Sequence, residues 1–185
     1  MKKKFLILIL SIITTLNYSQ DKPKVETEKT LRVNFLNPAV ELELPTGQYS
    51  TFSSAIGAGY GIGYPDLTYA GNGFIVIISP FVDLQQKWFY NLNKRDRKNK
   101  MIANNSGNFV SFRFVTRGNS IASNVYRTSN FDFAIGPTWG LQRTYGKKFH
   151  LLFDIGSQYY FDSKGNGNFW PIMLQLNLGF NLEKK

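Results

Sequence analysis

The chain has 185 residues, of which 43% are hydrophobic, 16% aromatic and 18% charged, with a net charge of +10 and no cysteine. This length suits one domain, with or without a tail. The missing Cys excludes a disulfide framework, Cys-based zinc or iron–sulfur sites, thiol catalysis and lipoprotein-type acylation, and the low charge excludes a disordered chain.

Residues 1–13 read MKKKFLILILSII. Three lysines followed by a short apolar run make the n-region and h-region of an export signal, too short to span a bilayer as a helix. Cleavage is placed after Ser19 or Gln20, which removes Lys2, Lys3 and Lys4 and leaves +7. Residues 20–30 are polar and aperiodic, and are expected to form a flexible leader.

From Leu31 the pattern is alternation, the period of a strand. Leu31, Val33 and Phe35 are apolar at odd positions, whereas Val40, Leu42 and Leu44 are apolar at even ones. The phase flips across Asn37-Pro38, as a tight turn or a bulge would make it. Residues 50–64 set Phe52, Ile56 and Tyr60 against Ser53, Ala55 and glycines 57, 59, 61 and 63. Further strands are predicted over 74–90, 109–117, 130–142, 149–161 and 172–182, separated by Gly- and Asn-rich turns. Pro80 and Pro137 interrupt this pattern, and each predicts a bulge or a rim position because proline removes a backbone donor.

Alternation leaves open which set faces inward. Three features place the apolar set outside. The opposite set is rich in Gly, Ser, Asn and Gln rather than the Lys and Glu of a watery exterior. Aromatics gather at the segment ends: Trp88, Tyr90, Trp139 and Tyr145 toward one rim, and Tyr64, Tyr159, Tyr160 and Trp170 toward the other. Such rings favour membrane–water interfaces. The export signal also sends the chain to where a closed barrel can satisfy its backbone in hydrocarbon. The predicted fold is all-β: a single closed antiparallel up-and-down transmembrane β-barrel of eight strands, or seven if residues 31–44 form one. Residues 1–19 are its signal peptide, 20–30 its leader and 31–185 the outer-membrane β-barrel. With the last strand ending in the periplasm, the 91–108 connection is periplasmic, and 65–73, 118–129 and 162–168 are extracellular.

Residues 31–45 (LRVNFLNPAVELELP), 102–109 (IANNSGNF), 133–149 (FAIGPTWGLQRTYGKKF) and 174–182 (LQLNLGFNL) carry a resemblance. The chain resembles the small outer-membrane β-barrel proteins of Gram-negative bacteria, and within them an uncharacterised group of about eight strands. The resemblance implies outer-membrane location, lipid contact and a final strand recognised by the barrel-insertion machinery. It implies no catalytic activity. The chain departs from the pattern where Phe180 is followed by five further residues instead of ending the strand.

In this phase Arg32, Glu41, Glu43, Asp83, Lys87, Arg113, Asp132, His150 and Asp154 point into the lumen. Unpaired charges are costly in a narrow interior, so these predict an interlocking polar network. A structural plug is favoured over a narrow channel for ions or small solutes. A lipid-modifying enzyme would need His150 with Ser111 or Ser157 and Asp154 or Asp132, but Ser157 falls in the outward set. No catalytic residues, metal ligands or cofactor are expected. The run Lys94, Arg95, Arg97, Lys98 and Lys100 around Asp96 predicts a solvated periplasmic loop able to touch anionic cell-wall polymer, and not nucleic acid. A soluble, secreted lipocalin-like binding barrel is the fold-level alternative, and the function expected first is a structural or surface-interaction role.

Overall fold

A computed structural model describes residues 25–60, 67–68, 77–123, 126–127 and 129–182. The signal peptide, its cleavage site and Tyr64 lie outside the described residues. Eleven strands follow in chain order: β1 (Thr30–Asn34), β2 (Ala39–Gly47), β3 (Ser50–Tyr60), β4 (Leu67–Thr68), β5 (Ile77–Phe89), β6 (Asn108–Arg117), β7 (Ala122–Ser123), β8 (Tyr126–Arg127), β9 (Asp132–Tyr145), β10 (Phe149–Asp162) and β11 (Gly167–Asn181). Between β5 and β6 lie a one-turn helix, α1 (Leu92–Asp96), and a 3-10 turn at Ala103–Asn105. Among the described residues no helix is long and apolar enough to cross a membrane.

Nine of these strands form one antiparallel sheet, eight of the nine close a ring, and β4 and β8 pair separately. Each ring strand pairs with the ring strands before and after it in the chain, and the pairing of β1 with β11 joins the two ends. That last seam is thin. Its register holds three residue pairs: Arg32 with Asn181, Val33 with Phe180 and Asn34 with Gly179. The phase flip at Asn37-Pro38 is a turn between β1 and β2, so residues 31–44 form two strands of the ring.

The irregularities are local. Two residues of β11, Pro171 and Ile172, stand against Ser157 alone, and Ser157 Oγ donates to the Pro171 carbonyl at 2.8 Å. This is a bulge. Across β10 from it, the β9 ladder lapses at Gly136-Pro137, which is where Pro137 needs no partner. The backbones approach so closely there that a Cβ on Gly136 would overlap the Ser157 carbonyl oxygen, and one on Gly156 the Pro137 carbonyl oxygen. Only glycine fits such an approach. Pro80 lies between the end of the β5–β6 ladder and the start of the β5–β7 pairing.

The two faces are reversed relative to a water-soluble domain. Among the buried residues described, polar side chains outnumber apolar ones. Arg32 is 0% exposed, and Ile56, on the outer face, is 66% exposed. Val33, Val40, Phe52, Val110, Phe112, Leu174 and Phe180 are exposed with it.

One end of the ring is closed by an apolar cluster of Val25, Phe89, Leu92, Phe109 and Leu152, packed against Tyr49 and Ile102. The basic connection supplies Leu92 and Ile102 to it. The expected flexible leader is held at its end as well: Thr27 N donates to the Gln48 carbonyl at 2.9 Å, and Glu28 N donates to Asn105 Oδ1 at 2.7 Å. Burial of Val25 and Thr27 supplies the energy that orders this segment.

Candidate functional site

The nine ionisable residues expected in the lumen are all buried. Alternation puts them on one face of neighbouring strands, and the antiparallel registers bring them level. Arg32 stands opposite Glu41 across β1 and β2, and Thr30 opposite Glu43. They sort into three tiers along the ring.

The tier nearest the closed end is the densest. Arg32 Nη1 donates to Glu41 Oε1 at 2.8 Å, and Arg32 Nη2 pairs with Glu43. Lys87 Nζ sits 3.4 Å from Glu41 and 3.7 Å from Glu43, with Phe109 offering its ring face 5.4 Å away. Two cations thus meet two carboxylates. Neutral groups complete the bonding. Thr51 Oγ1 donates to Glu43 at 2.6 Å, Asn34 donates to Glu41 at 3.1 Å, and Arg32 Nε donates to Asn181 at 3.1 Å. Gln142 accepts from Lys87 and donates to Glu43, each at 3.1 Å. This is the satisfaction a buried ion cluster requires.

In the middle tier Arg113 faces Asp83 with two nitrogens, at 3.0 Å and 2.6 Å, and Asp154 lies 3.8 Å from its third. Gln85 Nε2 donates to Asp154 at 3.0 Å and to Ser111 at 2.9 Å. The last tier is Arg117 with Asp132, 3.6 Å apart.

His150 differs from the expectation that it is a satisfied polar residue. It is fully buried, yet neither ring nitrogen has a hydrogen-bond partner. The Ser–His–acid arrangement is not assembled. Ser111 is engaged with Gln85 and Thr138, and Asp154 with Gln85 and Arg113.

The aromatic belt is partly as expected. Trp88, Tyr90, Trp139 and Tyr159 are exposed, and Trp139 Nε1 donates to Tyr90 at 2.7 Å. Two positions need correction. Tyr160 is 6% exposed and faces inward. Trp170 stands opposite the buried Gln158, on the inward side, while Phe169, opposite Tyr159, takes the outer face. The β11 bulge shifts the alternation there by one residue, which parity counted along the sequence does not register.

The basic connection is not a simple loop. Lys94, Arg97, Lys98 and Lys100 are exposed, but Arg95 is half-buried and donates to the Met101 carbonyl at 2.8 Å. Asn105 and Ser106 are buried beneath it.

Arg117 and the neutral residues Asn34, Gln85, Gln142 and Gln158, which are not among the nine expected, also belong to the site. Their signal was present, since each shares the parity of the charged set on its strand. Two cavities accompany the tiers. One, of about 10 Å³, lies among Asn34, Glu41, Asp83, Gln85 and Gln175 and has room for one water. Asn34 Oδ1 and Gln175 Oε1 have no hydrogen-bond partner there. The other, of about 120 Å³, lies against the upper part of β11.

No family model, no curated protein and no solved structure matches the chain.

Proposed function

We propose that this chain is a closed outer-membrane β-barrel of Gram-negative type, exported by its N-terminal signal, with a structural or surface-interaction role and an interior that works as a plug. One observation carries the reading: the apolar set lies outside while three tiers of ion pairs fill the inside. Hydrocarbon around the ring satisfies the exposed apolar face, which water would leave as a large aggregating patch. A soluble lipocalin-like barrel would need the opposite arrangement. The dense tier and the apolar cluster at one end favour a plug over a channel. Outer-membrane lipid and, during assembly, the barrel-insertion machinery are the partners of this reading. Lys94, Arg97, Lys98 and Lys100 are exposed and follow the Trp88–Tyr90 aromatics in the chain, and they suit contact with anionic cell-wall polymer.

Fractionation tests location. The protein is expected in the detergent-extracted outer membrane with heat-modifiable migration on a gel, and recovery in the soluble fraction would overturn the reading. Planar-bilayer recording tests the plug, for which no steady conductance is expected. A stable, well-defined pore would replace it with the channel.

A further inference from the structure

One arginine departs from the rule that charge lies inside. In β9 Gln142 and Thr144 are buried, so Arg143 between them belongs to the outward set, opposite Leu151 of β10. Among the described residues of the ring strands it is the only charged side chain in that set. It stands two residues from the end of β9, at the closed end of the ring. A charge on a lipid-facing surface is least costly at such an interfacial position.

A row of polar contacts fixes Arg143 across the outer rim. Its Nη1 donates to the Gly107 and Gln142 carbonyls, each at 2.7 Å, and its Nη2 donates to Asn108 Oδ1. Asn108 Nδ2 donates in turn to Tyr90 Oη at 3.4 Å, and Trp139 Nε1 donates to the same oxygen at 2.7 Å. Tyr90 Oη accepts twice and keeps its own O–H to donate. Arg95, on α1, lies near enough to Arg143 for the two charges to repel, and Tyr90 and Tyr145 are within electrostatic reach of the same guanidinium. Arg95 Nε and Nη2 donate to the Met101 carbonyl at 3.2 Å and 2.8 Å. All these acceptors are neutral. They take three of the five donors of Arg143 and two of the five of Arg95. The lumen differs, because there Arg32, Arg113 and Arg117 each meet a carboxylate.

From this juxtaposition we propose that Arg95 and Arg143 hold the phosphate of an anionic phospholipid in the leaflet at the closed end of the barrel. Two cations that repel each other are both stabilised by one anion between them. A phosphodiester offers two free oxygens, which two guanidiniums and the Tyr90 O–H can bind together. Position favours lipid over a polymer in solvent. Lys94, Arg97, Lys98 and Lys100 are exposed, whereas Arg95 and Arg143 are half-buried beside Tyr90 and Tyr145. Tyrosine and tryptophan rings mark the depth of the headgroups. The acyl chains run along Val110 and Trp139, which pair across β6 and β9 and are both exposed. The proposal rests on the outer-membrane reading above, since that membrane supplies the lipid.

Native mass spectrometry of the full-length chain, folded in detergent, tests this with phosphatidylglycerol and phosphatidylcholine carrying identical acyl chains. One phosphatidylglycerol is expected to be retained, bound about tenfold more tightly than phosphatidylcholine. R143Q and R95Q are each expected to weaken that retention about tenfold. K164Q, in the turn at the opposite end, is expected to leave it unchanged. If R143Q does not give the heat-modifiable band, R95Q decides, because α1 lies outside the ring. Equal retention of the two lipids, retention that survives R95Q, or an equal loss with K164Q would overturn the proposal. Displacement of the lipid by inorganic phosphate or by soluble cell-wall fragments would overturn it as well, in favour of a free anion or a polymer. Recovery from the outer membrane without retained phosphatidylglycerol would remove this site alone. Recovery in the soluble fraction would remove the membrane reading and the site together.

Discussion

The closed end of the ring and the side above the β1–β2 turn use the same alternating strands to different effect. At the closed end every strand has two neighbours, and the interior is filled twice, by the Arg32–Lys87–Glu41–Glu43 tier and by the cluster around Phe109. Above the β1–β2 turn that hairpin stops short, and a cavity lies among residues of β3, β6 and β11. Wall height is thus set hairpin by hairpin.

Mutations can break or sharpen this contrast. Replacing Arg32 with Met leaves Glu41 and Glu43 sharing Lys87 alone, and is expected to cost about 3–5 kcal/mol, read from urea titration of the folded gel band. Phe109→Ala, at 0% exposure in the apolar cluster, is expected to cost about 3 kcal/mol. It should also speed tryptic cleavage at Lys94, Arg97 and Lys98 as the cluster loosens. At the β1–β2 turn, Asn37→Ala removes side-chain bonds to Leu176 and Asn177 and is expected to cost about 1 kcal/mol. A loss there equal to that of Arg32→Met would erase the contrast. Smallest is the joint change of Lys94, Arg97 and Lys98 to Gln, expected within about 0.5 kcal/mol in the same titration because these side chains are exposed.

Much of this was legible beforehand. Period-two alternation marked the long strands, and the parity flip at Asn37-Pro38 marked the first hairpin. Gly, Ser, Asn and Gln opposite the apolar set marked the inward face, and the charged residues of that parity proved to be buried together. Three things were not legible. The β11 bulge moves Trp170 to the inward side because two residues there occupy the span of one, a matter of register between strands rather than along one. The cap formed by residues 91–107 depends on Leu92 and Ile102 on either side of a basic run, a spacing that carries no periodicity to detect. The cavity beside β11 takes its lining from β3, β5, β6 and β11 at once, a juxtaposition that no single strand's pattern shows.

The three-pair seam between β1 and β11 has a kinetic consequence. Arg32 and Asn181, hydrogen-bonded across it, are 149 positions apart in the chain. Closing so long a loop comes at an entropic cost before any contact offsets it, and topologies of this kind fold slowly. Every other ring pairing joins successive ring strands and closes a shorter loop. The ring is therefore expected to close last at this seam, and until then the edges of β1 and β11 stand open to whatever holds the chain.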